Sequence, residues 1–152
     1  MNKLCSIFLL IVLPGGLVAC KKEAKSEIPV GLIGTWYVRQ YTTTSSSDAF
    51  SDTPYTVSFP DTAKDAYYQF KNDGTGREQY SVDPNFALIP PITFTYHISG
   101  NNITFSQITA IMMGHTYSFT MPTSNTLILH INYSYTQAGT LVNNVQEIIL
   151  SK

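Results

Sequence analysis

The chain has 152 residues, nine basic and ten acidic side chains and a formal net charge of −1, with 12% charged and 12% aromatic residues. A near-neutral chain without a lysine or arginine cluster in its body lacks the electrostatic footprint of a nucleic-acid binder. Abundant Thr, Ser, Tyr and Asn is the palette of a β-rich extracytoplasmic domain rather than a helical one.

Lys3 precedes a nearly unbroken apolar run over residues 4–13, which Pro14-Gly15-Gly16 end before Leu17-Val18-Ala19-Cys20. A basic start, a short apolar run and small residues before a cleavage point are the layout of a secretory signal. The run falls well short of the roughly 20 apolar residues that a membrane span needs. The four residues Leu17-Val18-Ala19-Cys20 resemble the lipobox of bacterial lipoproteins. That resemblance implies removal of residues 1–19 as a signal peptide and a diacylglycerol on the Cys20 sulfur, with the new amine acylated as well. Palmitate-like chains on Cys20 would then anchor the protein in the outer membrane, facing the periplasm or the cell surface. Two acyl chains suffice physically, since each buried methylene contributes about 0.8 kcal/mol. Cys5 leaves with the signal, so the folded domain is expected to hold no thiol, no disulfide and no cysteine-based metal site. Residues 20–30 then form a lipidated polar tether, with Lys21-Lys22 beside the headgroups, and residues 31–152 form one domain.

Within that domain a short helix or 3-10 turn is expected at 29–33 and another at 109–113. The first strand is placed at 34–41, with Trp36, Val38 and Gln40 on one face. Residues 42–54, opening with six Thr or Ser in a row, read as a loop before a short strand at 55–59. The next strand, 65–71, puts Ala66, Tyr68 and Phe70 together. Asn72-Asp73-Gly74 is a strong hairpin turn, because glycine tolerates the positive φ required. The return strand, 76–82, places Glu78, Tyr80 and Val82 on one face. A proline-stiffened loop spans 83–91.

Residues 92–99 alternate cleanly, with Ile92, Phe94, Tyr96 and Ile98 against Thr93, Thr95, His97 and Ser99. Gly100-Asn101-Asn102 turn the chain into a strand at 103–108 carrying Ile103 and Phe105. A strand at 116–121 aligns Tyr117, Phe119 and Met121. A long strand at 126–136 aligns Leu127, Leu129, Ile131, Tyr133 and Tyr135, and a last strand covers 141–150. Period-two alternation with regular turn signals predicts an all-β antiparallel domain of about eight strands. Alternation alone fits both a closed up-and-down barrel and a β-sandwich of the immunoglobulin kind.

Three pieces of the chain carry a resemblance that favours the barrel. Gly34-Thr35-Trp36 resembles the Gly-x-Trp signature that opens the first strand of lipocalins. Phe70-Lys71-Asn72-Asp73-Gly74-Thr75-Gly76 resembles the second hairpin of bacterial lipocalin-like lipoproteins, and Tyr96 to Phe105 their central hairpin. The resemblance implies an eight-stranded barrel with Trp36 plugging its closed end, often beneath an arginine of the last strand. The last strand here has no arginine, and Lys152 at its very end is a poor substitute.

With the apolar faces inward, Tyr68, Phe70, Tyr80, Phe94, Tyr96, Phe105, Tyr117 and Phe119 line the interior, along with Leu129, Tyr133 and Tyr135. Such rings suit a small hydrophobic or amphipathic ligand held without covalent chemistry, with hydroxyls to orient it. They equally suit a filled barrel, which would leave the loops to bind a protein or glycan. Glu78 shares the inner face; a strand frayed at the rim accounts for it more simply than a paired buried carboxylate. No nucleophile motif, nucleophilic triad or metal-type histidine pair is present, so no catalysis, metal or cofactor is expected.

Overall fold

The computed structural model describes residues 27–47, 50–51, 54–79, 90–107 and 116–152. The expectations placed on the signal, Cys20, most of the tether, Tyr80, Val82 and the turn at 109–113 lie outside these residues. A 3-10 turn at Val30–Leu32 leads into β1 (Gly34–Ser47), β2 (Phe50–Ser51), β3 (Tyr55–Ser58), β4 (Tyr67–Phe70) and β5 (Thr75–Gln79). Then come β6 (Ile92–Ser99), β7 (Asn102–Phe105), β8 (Thr116–Thr123), β9 (Thr126–Gln137) and β10 (Thr140–Ser151).

Every pairing is antiparallel and joins sequence neighbours from β4 to β10, and β10 pairs back onto β1. β2, β3 and β4 all lie along the other edge of β1, at its end, middle and start. They are three pieces of one stave. The result is a closed eight-stranded barrel, and the sandwich alternative falls. The hairpins at Lys71–Thr75, Ser99–Asn102 and Thr123–Thr126 gather at the base, where β1 begins and β10 ends. β1 ends and β10 begins at the far end.

Two features of β1 depart from the sequence reading. The strand does not stop at Tyr41 but runs through the Thr/Ser stretch to Ser47. Thr42 to Ser46 pair with Glu147 to Asn143 on one side, while β2 and β3 hold the other. Threonine is a good strand residue, and a ladder on both edges outweighs a loop-like composition. The register also shifts between Val38 and Gln40, a bulge that reverses the inward parity. Tyr41 is therefore buried in place of Gln40. Arg39, at the bulge, bonds Ser151 Oγ (2.7 Å) and the carbonyls of Pro60 and Ala63 on the outside of the wall.

The core lies inside the barrel by period-two alternation: Phe94, Tyr96 and Ile98 on β6, Ile103 and Phe105 on β7, Leu127, Leu129 and Ile131 on β9. Tyr135 is an exception. β8 pairs with β9 only as far as His130. Beyond that point Tyr133 is half-buried, and Tyr135, stacked on it at 6.4 Å, is 41% exposed.

Candidate functional site

At the base, Leu32 of the 3-10 turn is fully buried against the core and Trp36 plugs the barrel with no exposure. The Trp36 indole donates to the Leu32 carbonyl at 2.7 Å. Lys152 is not the poor substitute that its terminal position implied. Its ammonium lies 4.4 Å from the centre of the Trp36 ring system and donates to the Gly31 carbonyl at 2.7 Å. Gly34 makes room: its φ of 126° is open to glycine alone, and the Lys152 stem passes 3.6 Å from where a Cβ would sit. A flexible lysine stem reaches over the ring from the last residue and supplies the cation that an arginine in the strand would have supplied.

The inward rings of β4, β6, β7 and β8 form an aromatic layer. Phe70 meets Tyr96 edge-on at 5.2 Å and Phe94 at 5.9 Å, Phe94 meets Phe105 at 5.2 Å, and Phe105 meets Tyr117 at 6.0 Å. Tyr68 stacks beside Phe70 at 6.3 Å. Edge-to-face pairs of this kind contribute about 0.5–1.5 kcal/mol beyond their buried area. Seven of the eight aromatic residues singled out by sequence are thus buried inside the barrel, Phe119 among them, and Tyr80 lies outside the described residues. The Tyr96 hydroxyl donates to the Lys71 carbonyl at 2.5 Å, and burial, then the charge of Asp73, pushes its pKa up to about 12.

The polar groups were the less legible part. Glu78 does not sit at a frayed rim. It is 3% exposed and accepts a hydrogen bond from the Tyr68 hydroxyl at 3.3 Å. Its position opposite Tyr68 in the register turns it inward. Further along, the Tyr117 hydroxyl donates to Gln146 Oε1 at 2.5 Å, and Gln146 Nε2 donates to the Tyr41 hydroxyl at 3.0 Å. Gln146 is wholly buried, so this chain joins β8, β10 and β1 across the interior. One inward position nearer the far end, Asn144 is 4% exposed and its Oδ1 accepts from Ser45 at 2.5 Å. Among the described residues the buried Asn144 Nδ2 has no hydrogen-bond partner, which costs about 1–3 kcal/mol in a dry interior. Tyr133 pairs with Asn144 in the register, and burial raises its pKa.

Tyr41, Ser45, Asn144 and Gln146 escaped the sequence reading. The signal for two of them was the parity of β10, where Val142, Asn144, Gln146, Ile148 and Leu150 alternate with exposed or half-buried neighbours. Tyr41 and Ser45 were hidden by the bulge.

A closed antiparallel barrel of eight staves, plugged at one end by a tryptophan under a cation and holding polar groups inside, defines a lipocalin-like protein. The family model for the lipocalin-like domain matches residues 32–129, well over half of the chain. The chain belongs to that family. It has no significant match among curated proteins or among solved structures.

Proposed function

We propose that the protein is a lipid-anchored extracytoplasmic carrier that binds a small hydrophobic or amphipathic ligand, without covalent chemistry, inside its barrel. The observation that carries this reading is the hydrogen-bonded chain Tyr41–Gln146–Tyr117, set inside the barrel beyond an aromatic layer. Burying an amide there carries a desolvation cost that an apolar side chain of the same size would not. Aromatic walls with a few convergent polar groups are the usual build of a small-molecule site. Of the aromatic set, Tyr117 joins the polar chain to the floor formed by Phe70, Phe94, Tyr96 and Phe105. No catalytic role is assigned to any residue.

The dense contacts within that floor favour a second reading, a filled barrel that binds a protein or glycan through its loops. Native mass spectrometry after mild extraction separates the two. An adduct lost on unfolding supports the carrier. A bare mass, with no binding of the dye ANS to the native state, removes it.

The anchor is Cys20, through the lipobox resemblance. Residue 27 enters at the base beside the 3-10 turn. The eight residues from Lys21 to Ile28 reach roughly 25 Å at about 3.3 Å each, so an outer-membrane anchor would hold the base toward the bilayer and the far end away. A Cys20→Ala variant should leave the membrane fraction and lose labelling by palmitate analogues; retention of both would refute the anchor.

A further inference from the structure

The interior combines two features that narrow the ligand beyond "hydrophobic". The first is the donor at Asn144. Its side chain lies on the inward row of β10, more than nine-tenths buried, with Ser45 taking its oxygen and Nδ2 unmatched. Buried polar groups in native proteins are almost always satisfied, and an exception points to a missing partner. The missing partner is an acceptor.

The second feature is where the cations lie. From residue 27 onward the chain has five, Arg39, Lys64, Lys71, Arg77 and Lys152. Arg39 is bonded outside the wall to Ser151, Pro60 and Ala63. Lys64 lies over the outer ring of Tyr37 at 3.9 Å. Lys71 is exposed in the basal hairpin, and Arg77 is exposed between inward Gly76 and Glu78. Lys152 covers the base. Among the described residues no lysine or arginine therefore faces the interior, whereas the carboxyl of Glu78 does. An anionic head brought inside would lose its water, find no lysine or arginine and share the barrel with an acid.

From these two features we infer that the barrel selects an uncharged amphiphile whose carbonyl oxygen, of an amide or ester, accepts from Asn144 Nδ2, and that it rejects free carboxylates. The inference rests on the carrier reading and names its ligand class. The apolar part of such a molecule lies on the floor that ends at Tyr117, and its head lies in the row of Ser45, Asn144 and Tyr133.

The test uses four radiolabelled twelve-carbon probes: dodecanamide, methyl dodecanoate, dodecanoate and dodecane. The full-length protein is immobilised in a mild nonionic detergent at pH 8, and retention is normalised to partition into empty micelles. The amide and ester should be retained about tenfold better than dodecanoate. Asn144→Leu should lose most of that advantage while keeping dodecane. Asn144→Asp, which keeps the shape and removes the donor, should lose the amide and ester likewise and covers the case in which the leucine variant fails to fold. Equal or better retention of dodecanoate by the wild type overturns the inference. So does undiminished retention of the amide by a folded Asn144 variant, which would mean that water satisfies the donor. Retention of none of the four, dodecane included, sinks the carrier reading itself, a separate result from a carrier with the wrong preference.

Discussion

Gly76 gives the sharpest test of how tightly the base is packed. A Cβ placed there falls 2.3 Å from Cε2 and 2.4 Å from Cζ of Phe94, and 2.5 Å from the Gln69 carbonyl oxygen. Carbon–carbon contacts settle at about 3.5–4.0 Å, so the ring would have to retreat by more than about 1 Å. It has nowhere to go. Phe94 is 2% exposed and wedged edge-on between Phe105 and Phe70. The Gln69 oxygen belongs to β4, the strand that β5 pairs with, so that contact opens only if the two strands separate.

Overpacking of this kind typically costs about 1–3 kcal/mol. Alanine also narrows the unfolded ensemble, which stabilises by about 0.4–1 kcal/mol. The clash is the larger effect, so Gly76→Ala should destabilise by roughly 1–2 kcal/mol, a fall in Tm of about 3–10 °C for a domain of this size. Thermal unfolding followed by circular dichroism reads it. A cycle with Phe94→Leu locates the cause: the two substitutions together should cost about 1 kcal/mol less than the sum of their separate effects. A Gly76→Ala protein as stable as the wild type would show that the ring does not lie where it has been described.

Three further outcomes follow from other contacts. Because the Tyr96 pKa rises from 10.0 to about 12, the folded protein keeps a proton between these values that the unfolded chain has lost. This contribution is complete below pH 10 and disappears as pH climbs through 12. The urea midpoint should therefore fall over that window, and Tyr96→Phe should flatten the fall, leaving the smaller slope due to Tyr133, whose pKa is also raised. Lys152→Met should lose about 1 kcal/mol in urea unfolding and alter the near-ultraviolet dichroism of the single tryptophan, with Lys152→Arg restoring both. Gln146→Leu removes an acceptor from Tyr117 and a donor from Tyr41, for a loss of about 1–3 kcal/mol by the same assay; an unchanged midpoint would mean that the buried amide is dispensable.

The barrel was legible in the sequence wherever one face had to be apolar. Ile92 to Ser99 alternates without a break because β6 has one side in the core and one in water, and the same holds for Tyr117 to Met121. Legibility failed where the inward residue was polar. Glu78 looked like a rim residue because burial of an acid is costly in general, and only the register with Tyr68 shows that a partner is at hand. Thr42 to Ser47 looked like a loop because neither of its faces is apolar. Its strand character comes from ladders supplied by residues about 10 and 100 positions away, which no local pattern encodes. Lys152 was misjudged for a related reason: a position in sequence says little about how far a four-carbon stem can reach.

The bulge at Arg39 connects the two halves of the barrel. With Trp36 and Val38 inward, an unbroken strand would turn Gln40, Thr42 and Thr44 to the interior and Ser45 to solvent. The extra residue reverses this, so Tyr41 pairs inward with Ile148 and Ser45 with Asn144. Both the tyrosine that receives the Gln146 amide and the serine that holds the Asn144 oxygen therefore depend on one insertion. The bulge is fixed from outside: Val38 N bonds the Ala66 carbonyl, Phe59 N bonds the Arg39 carbonyl, and the guanidinium ties the 60–63 turn to Ser151. The surface excursion between β3 and β4 thus has a structural task at a distance. It locks the parity that presents polar groups to the interior, on a stave whose own sequence of Thr and Ser would accept either face.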